Sequence, residues 1–521
     1  MAKKKENTTS IGFEDAIWRA ADKLRGNLNA SEYEGVVLGL IFLKYISDKF
    51  EAKFAELSQD EYADVEDKDE YEADGVFYVP QDARWQVISI AAHTPEIGKV
   101  IDDALLAIER ENPKLRGVLP GNYARPELDK RRLGDVVDLF TNIHMLASGD
   151  EKDLLGRVYE YCLQKFASME GKNAGEFYTP SCIVRTIVEI LQPYEGRVYD
   201  PCCGSGGMFI QSSELVKAKQ GDISRINVYG QEKEAATYRL AKMNLALRGI
   251  SHNLGSESDS SFTNDLHKGL YFDYIMANPP FNLKGWWNDN LSKDARWTDY
   301  GTPPESNANY AWILHMLSHL KPLSGVAGFL LANGALGDTD ALEIRKKLIE
   351  NDKVEAIIIL PRELFITTDI SVTFWILNQN KKGGIYHGRE LRNREHEILF
   401  MDLRRWTDNP VKGEQKKKVL LSTDQIQRVA DFYHQWQAAG TDGKNFAEPE
   451  LYRSVGIDEI EGNNWTLVPS KYIEFIDHDL EIDYPKEMAR IQQEMKELMQ
   501  REKESQKMLE EAFKGIGYGI D

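Results

Sequence analysis

The stretch "GRVYDPCCGSGGMF", Gly196 to Phe209, combines a short apolar strand, a glycine-rich turn and the first residues of a helix. Glycines let backbone amides approach a ligand closely, and the N-terminus of a helix favours an anion or a carboxylate. No Lys-Ser/Thr pair follows, which excludes a Walker phosphate loop, and the spacing differs from G-x-G-x-x-G. The stretch predicts a small-molecule pocket on an α/β sheet, where Asp200 either accepts hydrogen bonds from a ligand or steadies the loop.

Short apolar strands and helices alternate along the chain from about Cys182. The strands are "GRVYD", "INVYGQE", "YFDYIMANPP", "VAGFLLANG", "VEAIIILP" and "VTFWILN", and helices are predicted over Ile183–Leu191, Glu234–Arg248, Tyr310–Leu320 and Ala341–Glu350. This alternation is typical of a doubly wound, mostly parallel sheet, which binds ligands at the carboxyl ends of its strands. We therefore expect an α/β fold with its site at those strand ends.

The chain of 521 residues is long enough for more than one domain. We predict a helical N-terminal domain over 1–165, the α/β domain over 166–475 and a C-terminal helical tail over 476–521. The tail carries an apolar seam for docking on a partner, although packing on its own domain is nearly as well supported. The longest apolar run, Val36 to Ile46, includes Lys44 and is too short for a bilayer. Without a secretory signal or a zinc-like cysteine spacing, the default is a cytoplasmic protein.

The overall charge is strongly acidic, with 64 Lys and Arg against 84 Asp and Glu, or −20. Affinity for phosphate comes mainly from Lys and Arg, so this chain alone is a poor clamp for nucleic acid. One locally basic segment runs from Lys381 to Lys418. It is a candidate phosphate contact, and a solvated face is about equally supported.

A second strand end, "VYGQE", places Glu232 about one βαβ unit after the glycine turn. A carboxylate at this position is suited to receive two ribose hydroxyls. Together the turn and the carboxylate indicate a ligand with a ribose and little need for phosphate contacts. S-adenosylmethionine, a nucleoside with an amino-acid tail, fits this description.

A third strand end, "YIMANPPFN", closes with Asn278, Pro279, Pro280 and Phe281. Two prolines stop both helix and central strand and make a rigid ledge. Asn278 Oδ1 and the Pro279 carbonyl are placed to accept hydrogen bonds from an amino group, and Phe281 can stack on a flat base flipped out of a duplex. With a methyl donor over the glycine turn, the ledge would hold the methyl acceptor.

These motifs also carry a family resemblance. "NPPF" with upstream "DPCCGSGG" resembles the N6-adenine amino-methyltransferases of DNA, and "GEFYTP" resembles the segment that wraps the methyl donor in those enzymes. The segments "ADKLRGNLNASEYEGVVLGLIFLKYISDKF", "PPESNANYAWILHML" and "LPRELFITTDISVTFWIL" are similar to the modification (M) subunit of type I restriction-modification systems. The resemblance extends from about residue 12 to the C-terminal helix.

The resemblance implies roles for individual residues and partners. The donor S-adenosylmethionine would be held by Glu176, Phe177, Tyr178, Thr179, Pro180, Ser181, Asp200, Gly204, Ser205, Gly206, Gly207 and Glu232. The catalytic ledge would be Asn278, Pro279, Pro280 and Phe281, with no metal expected. Double-stranded DNA with a flipped adenine, a specificity (S) subunit and a restriction (R) subunit would be the partners, with two copies of this chain per S subunit in a prokaryotic cytoplasm.

Some assignments stay open at this stage. Asp259 or a neighbouring serine is the candidate contact for the donor's adenine, and Trp286 with Trp287 is a candidate gate for DNA entry. The alternatives to the M subunit are a self-sufficient N6-adenine or N4-cytosine DNA methyltransferase and a protein glutamine methyltransferase. Phe281 favours DNA over protein, because the glutamine enzymes carry Tyr there, and Asn278 favours adenine over cytosine.

Overall fold

The computed structural model describes residues 18, 22, 24, 30–142, 161–162, 179–218, 225–365, 371–407, 419–476 and 484–515. The chain divides into two compact units, Met1–Ile473 and Glu474–Asp521. The first unit contains both the predicted N-terminal helices and the predicted sheet.

The N-terminal helices are α1 (Ala30–Leu57), α2 (Lys68–Ala73), α3 (Trp85–Ala91), α4 (Ile97–Glu111) and α5 (Lys130–Thr141). The apolar run that begins at Val36 lies inside α1 and is buried, as its length and composition predict. The N-terminal cap of α5 is Asp129, whose side chain accepts from the backbone N–H groups of Arg131 and Arg132. The helical prediction for this region is confirmed over the described residues.

One ten-stranded sheet forms the centre of the rest of this unit. Its strands are β1 (Gly196–Asp200), β2 (Ile226–Gly230), β3 (His252–Asn253), β4 (Tyr274–Ala277), β5 (Val326–Ala332), β6 (Val354–Ile359), β7 (Val372–Asn378), β10 (Glu397–Asp402), β11 (Ala447–Glu448) and β12 (Tyr452–Gly456). They lie in the order β11-β12-β10-β6-β7-β5-β4-β1-β2-β3, and β8 (Gly384–Tyr386) with β9 (Arg389–Leu391) forms a separate hairpin. Most neighbours are parallel, whereas β7 is antiparallel to β5 and β6, and β12 is antiparallel to β10 and β11. The predicted fold class is confirmed.

The switch in strand order lies between β1 and β4. From β1 the chain moves outward to β2 and β3, then returns to β4 on the other side of β1. Val198 pairs with Tyr274 and Tyr199 with Ile275, so the two strands end side by side. Ligands of doubly wound sheets bind at this kind of position. The fold therefore brings the glycine turn and the Asn-Pro-Pro-Phe ledge together.

Helices cover both faces of the sheet. They are α6 (Ser181–Leu191), α7 (Gly207–Ala218), α8 (Ala235–Leu247), α9 (Asn309–His319), α10 (Leu342–Glu350), α11 (Thr423–Gln437) and α12 (Ile457–Gly462). Successive residues of β4 point to opposite faces: Tyr274 and Met276 join the core that includes α6, α7 and α11, whereas Ile275 and Ala277 join the core that includes α9 and α10. Residues of α8 also pack into the N-terminal helical core, which links the two regions.

The basic segment from Lys381 to Lys418 is expected from its sequence to lie on the surface, as a phosphate contact or a solvated face. The structure instead buries part of it. It contains β10, a strand inside the sheet, and Lys381 and Arg394 are 3% and 0% exposed. Lys381 pairs with Asp352 and Arg394 with Glu355. Buried pairing of this kind cannot be seen in the sequence, because the partner acids lie 29 and 39 residues away. Neither side chain is available to phosphate, and Lys412 and Lys416–Lys418 lie outside the described residues.

The second unit contains α13 (Tyr484–Gly515). Its apolar seam is exposed, with Met488 at 52%, Ile491 at 43%, Met495 at 61% and Leu498 at 64%. Among the described residues, no helix has the length and apolar character required to cross a membrane.

Candidate active site

The glycine turn is held from below by Asp200. Its Oδ1 accepts a hydrogen bond from the Cys202 N–H at 3.0 Å, and its backbone carbonyl accepts from the Gln231 N–H at 3.0 Å. The side chain is 2% exposed, and burial raises the pKa of the Asp200 carboxyl to about 7. Of the two roles that the sequence allows for Asp200, the structure supports steadying the loop.

Glu232 closes the same turn from the neighbouring strand. Its Oε2 accepts from the Gly204 N–H at 3.0 Å, and its Oε1 accepts from the Glu234 N–H at 2.8 Å. Burial raises the pKa of this carboxyl, and the two backbone donors oppose the shift. Each carboxylate oxygen has further lone pairs, so Glu232 can hold the loop and still accept from a ligand hydroxyl.

The three glycines of the turn meet different structural demands. Gly204 and Gly206 have φ angles of 54° and 83°, a region that favours glycine. Gly207, the first residue of α7, has no positive φ, and an added Cβ would meet no atom within 4 Å. The protein's own packing therefore does not require a glycine here, and the absence of a side chain leaves open space at the start of α7.

The ledge is tied to the segment that precedes α6. Asn278 donates from Nδ2 to the Thr179 hydroxyl at 2.9 Å. Asn278 Oδ1 is buried and has no hydrogen-bond partner among the described residues. A buried acceptor without a donor is costly and therefore uncommon in a protein interior. An amino group on a bound molecule would satisfy it.

A reciprocal amide pair fixes the far end of the ledge. The Asn282 N–H donates to Asn309 Oδ1 at 3.0 Å, and Asn309 Nδ2 donates back to Asn282 Oδ1 at 2.8 Å. Asn282 has a φ of 53°, which turns the chain sharply after Phe281. The Phe281 ring stands edge-on to Phe365, with 6.0 Å between centroids and an interplanar angle of 85°. The ring is only partly buried, so one side can receive a flat ligand.

Those predicted site residues that the structure describes lie together at the turn and the ledge. Thr179 and Pro180 adjoin the exposed first residue of α6, Ser181, while Ser205 accepts through its carbonyl from Asn244 Nδ2. Glu176, Phe177 and Tyr178 lie outside the described residues. The Asp259 N–H donates to the Glu232 carbonyl at 3.0 Å. This hydrogen bond places Asp259, the candidate contact for the donor's adenine, beside the turn.

The tryptophan gate is not supported by the structure. Trp286 is 6% exposed and packs on Phe262, with 5.0 Å between ring centroids, and on Trp287 and Trp297. Its burial in an aromatic cluster gives it a packing role. The sequence shows only that two aromatics occupy a loop, and the burial of Trp286 is decided by tertiary contacts.

A buried cluster of Asp265, His315 and His319 brings three possible metal ligands within 4.8 Å of one another. Arg296 Nη1 lies 2.8 Å from His315 Nδ1, and His319 Nε2 lies 2.9 Å from Asp265 Oδ2. Although burial opposes it, the hydrogen bond with His319 lowers the pKa of Asp265 to about 2. The adjacent guanidinium repels a divalent cation, and the groups already satisfy one another, so this cluster is a hydrogen-bonded network.

Sequence reasoning missed Asn309 and Phe365 as supports of the ledge. Both fall in segments noted only for their family resemblance, "PPESNANYAWILHML" and "LPRELFITTDISVTFWIL". It also treated Thr179 only as a donor contact. The hydrogen bond between Asn282 and Asn309 joins residues 27 positions apart, and that between Asn278 and Thr179 joins residues 99 positions apart.

Comparisons with known proteins agree with this geometry. The family described as N-6 DNA Methylase matches residues 150–479, and the HsdM N-terminal domain matches residues 13–140. The chain is 38% identical to the methylase subunit of the type I restriction enzyme HindI from Haemophilus influenzae, over 84% of this chain and 100% of that protein. It is 32% identical to the MjaIX methylase subunit of Methanocaldococcus jannaschii, over 97% and 92% of the two chains.

Solved structures show the same fold. A type I restriction-modification methyltransferase subunit from Streptococcus thermophilus superimposes with a TM-score of 0.71 at 23% identity, covering 88% of this chain and 99% of that one. The matched family, the extent of both relatives and the arrangement of the turn and ledge together lead to one conclusion. This chain belongs to the N-6 DNA methylases and is a methylase (M) subunit of a type I restriction-modification system.

Proposed function

We propose that S-adenosylmethionine lies over the Asp200–Gly207 turn and that a flipped adenine is held on the Asn278–Phe281 ledge. The observation that carries the proposal is Asn278 Oδ1, which is buried at the carboxyl end of β4, beside the turn that follows β1, and has no partner among the residues described. The open space at Gly207 and the buried Glu232 carboxylate support the donor position.

The bound donor supplies an electrophilic methyl group on a sulfonium. Asn278 Oδ1 and the Pro279 carbonyl accept hydrogen bonds from the exocyclic amine, which favours a pyramidal nitrogen and directs its lone pair towards the donor. Phe281 stacks on the base and restricts its tilt. Because the ledge is rigid, this alignment is present before the base arrives. As the N–C bond forms and the S–C bond to the sulfonium breaks, the nitrogen would become cationic and its N–H acidic, so the proton can leave afterwards without a strong base.

We further infer that an S subunit selects the DNA site and that an R subunit adds cleavage, with two copies of this chain per S subunit. The net charge of −20 supports a separate reader of the target. The basic segment supports it too, because Lys381 and Arg394 are buried in ion pairs. The exposed seam of α13 supplies an apolar surface for assembly. We retain 1–165, 166–475 and 476–521 as the proposed domains.

A methyl-transfer assay with tritiated donor tests the proposal. The lone chain should show weak, salt-sensitive and sequence-independent DNA binding and little methylation, and added S subunit should yield methylation of one split sequence. Phe281→Ala should abolish most activity, while Phe281→Tyr keeps the stacking plane and should retain it. Tight, sequence-specific modification by the lone chain would contradict the division of labour between subunits.

A further inference from the structure

The basic segment from Lys381 leaves one unexplained cation. Its described members are Lys381, Lys382, Arg389, Arg392, Arg394, Arg404 and Arg405. All of these except Arg389 form an ion pair with an acidic residue. The pairs are Lys381–Asp352, Lys382–Glu395, Arg392–Glu397, Arg394–Glu355, Arg404–Asp402 and Arg405–Glu450. Within the part of the chain that the structure describes, Arg389 has no ion-pair partner, and its buried Nε has no hydrogen-bond partner.

Arg389 lines a cavity of about 150 Å³ between the β8–β9 hairpin and the sheet. Apolar side chains form much of the wall, including Ile190, Leu191, Val326 and Leu391. By water volume the cavity holds on the order of five to ten non-hydrogen atoms. It lies at the amino end of β5, whereas the donor turn and the ledge follow the carboxyl ends of β1 and β4. The cavity is therefore on the opposite edge of the sheet from the methylation site.

Glu355, the buried acid paired with Arg394, does not neutralise Arg389. Glu355 receives hydrogen bonds from Arg394 Nε at 2.8 Å, the Tyr433 hydroxyl at 2.9 Å and Asn378 Nδ2 at 2.5 Å. Its lone pairs are thus committed to other donors. A partly buried cation without a counter-charge destabilises the fold. An anion entering the cavity would remove that cost.

The geometry points to a binding site for a small monocarboxylate with a short apolar chain. A guanidinium binds a carboxylate through two parallel N–H···O hydrogen bonds, and the apolar walls suit a hydrocarbon tail. Phosphate fits less well, because its greater charge and third set of oxygens need more donors than one arginine supplies. The site does not depend on the roles proposed for the turn and the ledge.

Titration of the full-length chain with acetate, butyrate, hexanoate and inorganic phosphate tests the site by calorimetry and thermal shift. Affinity should rise from acetate to butyrate by roughly fourfold per buried CH₂ and level off once the cavity is full, since each CH₂ contributes about 0.8 kcal/mol. Phosphate should not bind measurably. Saturating butyrate should raise the melting temperature and leave affinity for S-adenosylmethionine within about twofold, because the two sites lie on opposite edges.

Two variants separate the site from a general effect of charge. Arg389→Leu should lose at least tenfold in butyrate affinity and, without ligand, melt no lower than the parent chain, because it removes an uncompensated charge. Lys382→Ala removes a cation that is ion-paired with Glu395 outside the cavity and should bind butyrate as the parent does. Equal butyrate affinity in Arg389→Leu and the parent, or preferential binding of phosphate, would overturn the proposal. Failure of all three carboxylates to bind the parent chain would also overturn it.

Discussion

Asn278 donates from Nδ2 to the Thr179 hydroxyl across 2.9 Å, and its buried Oδ1 has no hydrogen-bond partner in the part of the chain that the structure describes. The hydroxyl fixes the orientation of the amide, and in the proposed function the amide oxygen accepts from the substrate amine. Thr179 contacts Asn278 although the two are 99 residues apart in the sequence.

Thr179→Val should lower the rate of methylation in the complex by about 10- to 100-fold, because the amide loses its orienting partner. Thr179→Ser keeps the hydroxyl and should stay within a few-fold of the parent. Single-turnover methylation and calorimetric donor binding, measured on the same variants, distinguish a slower methylation step from weaker binding of the donor. Asn278→Ala is the reference and should abolish methylation while donor affinity stays nearly unchanged. Equal rates for the Val and Ser variants would remove Thr179 from the positioning role.

Gly207→Ala should weaken binding of S-adenosylmethionine without lowering the melting temperature. The added methyl group meets no protein atom within 4 Å, but it fills the space assigned to the donor. Overpacking costs roughly 1–3 kcal/mol, and 1.4 kcal/mol is a tenfold change in affinity. Gly249→Ala is the matched control, since Gly249 lies outside the turn and has a φ of 64°, so its substitution should lower the melting temperature while donor affinity is unchanged. Unchanged donor affinity in Gly207→Ala would place the donor elsewhere.

Glu232→Ala should weaken donor binding by about one to two decades, because a charge-assisted hydrogen bond contributes roughly 1.5–3 kcal/mol. The carboxylate also receives the Gly204 and Glu234 N–H groups, so part of this loss reflects a looser turn. Glu232→Gln preserves one acceptor oxygen and should lie between the parent and the alanine variant. Calorimetry on the three proteins checks the order, and equal affinity in all three would exclude Glu232 from the site.

Because the pKa of the buried Asp200 carboxyl is raised, the free energy of unfolding should decrease as pH rises. Burial raises its folded-state pKa from 3.8 to about 7, so the folded protein retains a proton that the unfolded chain has already released. Stability from this group therefore falls as pH rises from about 4 to about 7 and is level above that. Asp200→Asn keeps the acceptor for Cys202 and removes the charge. Its gain in unfolding free energy over the parent should grow between pH 4.5 and 7.5, with an upper bound of about 4 kcal/mol. A gain that does not change with pH would contradict this account.

The α13 seam should be required for assembly and not for donor binding. Met495→Glu with Leu498→Glu places two charges on exposed apolar positions and should abolish complex formation with an S subunit in size-exclusion chromatography. Gln493→Glu with Gln500→Glu adds the same charge on the opposite face of the helix and should assemble normally. Donor affinity should be unchanged in both. Normal assembly of the seam variant would assign the interface to another surface.

Local sequence patterns determined the elements of this protein. The alternation of β-branched strands and amphipathic helices predicts β1, β2, β4, β5, β6 and β7 close to their observed bounds, because period and length are local properties. Glycine and proline likewise marked the turn and the ledge, since both act on their own backbone. The strands β3, β8, β9 and β11 were missed because two or three residues are too few to show a period, and β10 was missed because it lies inside a segment interpreted by its basic charge.

Only the tertiary structure decided which side chains meet. The reversal of strand order between β1 and β4 places the turn beside the ledge, and it brings Thr179 to Asn278 and Asn309 to Asn282. Burial decided the rest: Trp286 joined an aromatic cluster, and Lys381 and Arg394 became paired inside the protein while Arg389 did not. The physical reason is that desolvation and pairing depend on neighbours distant in the chain, whereas propensity depends on neighbours along it.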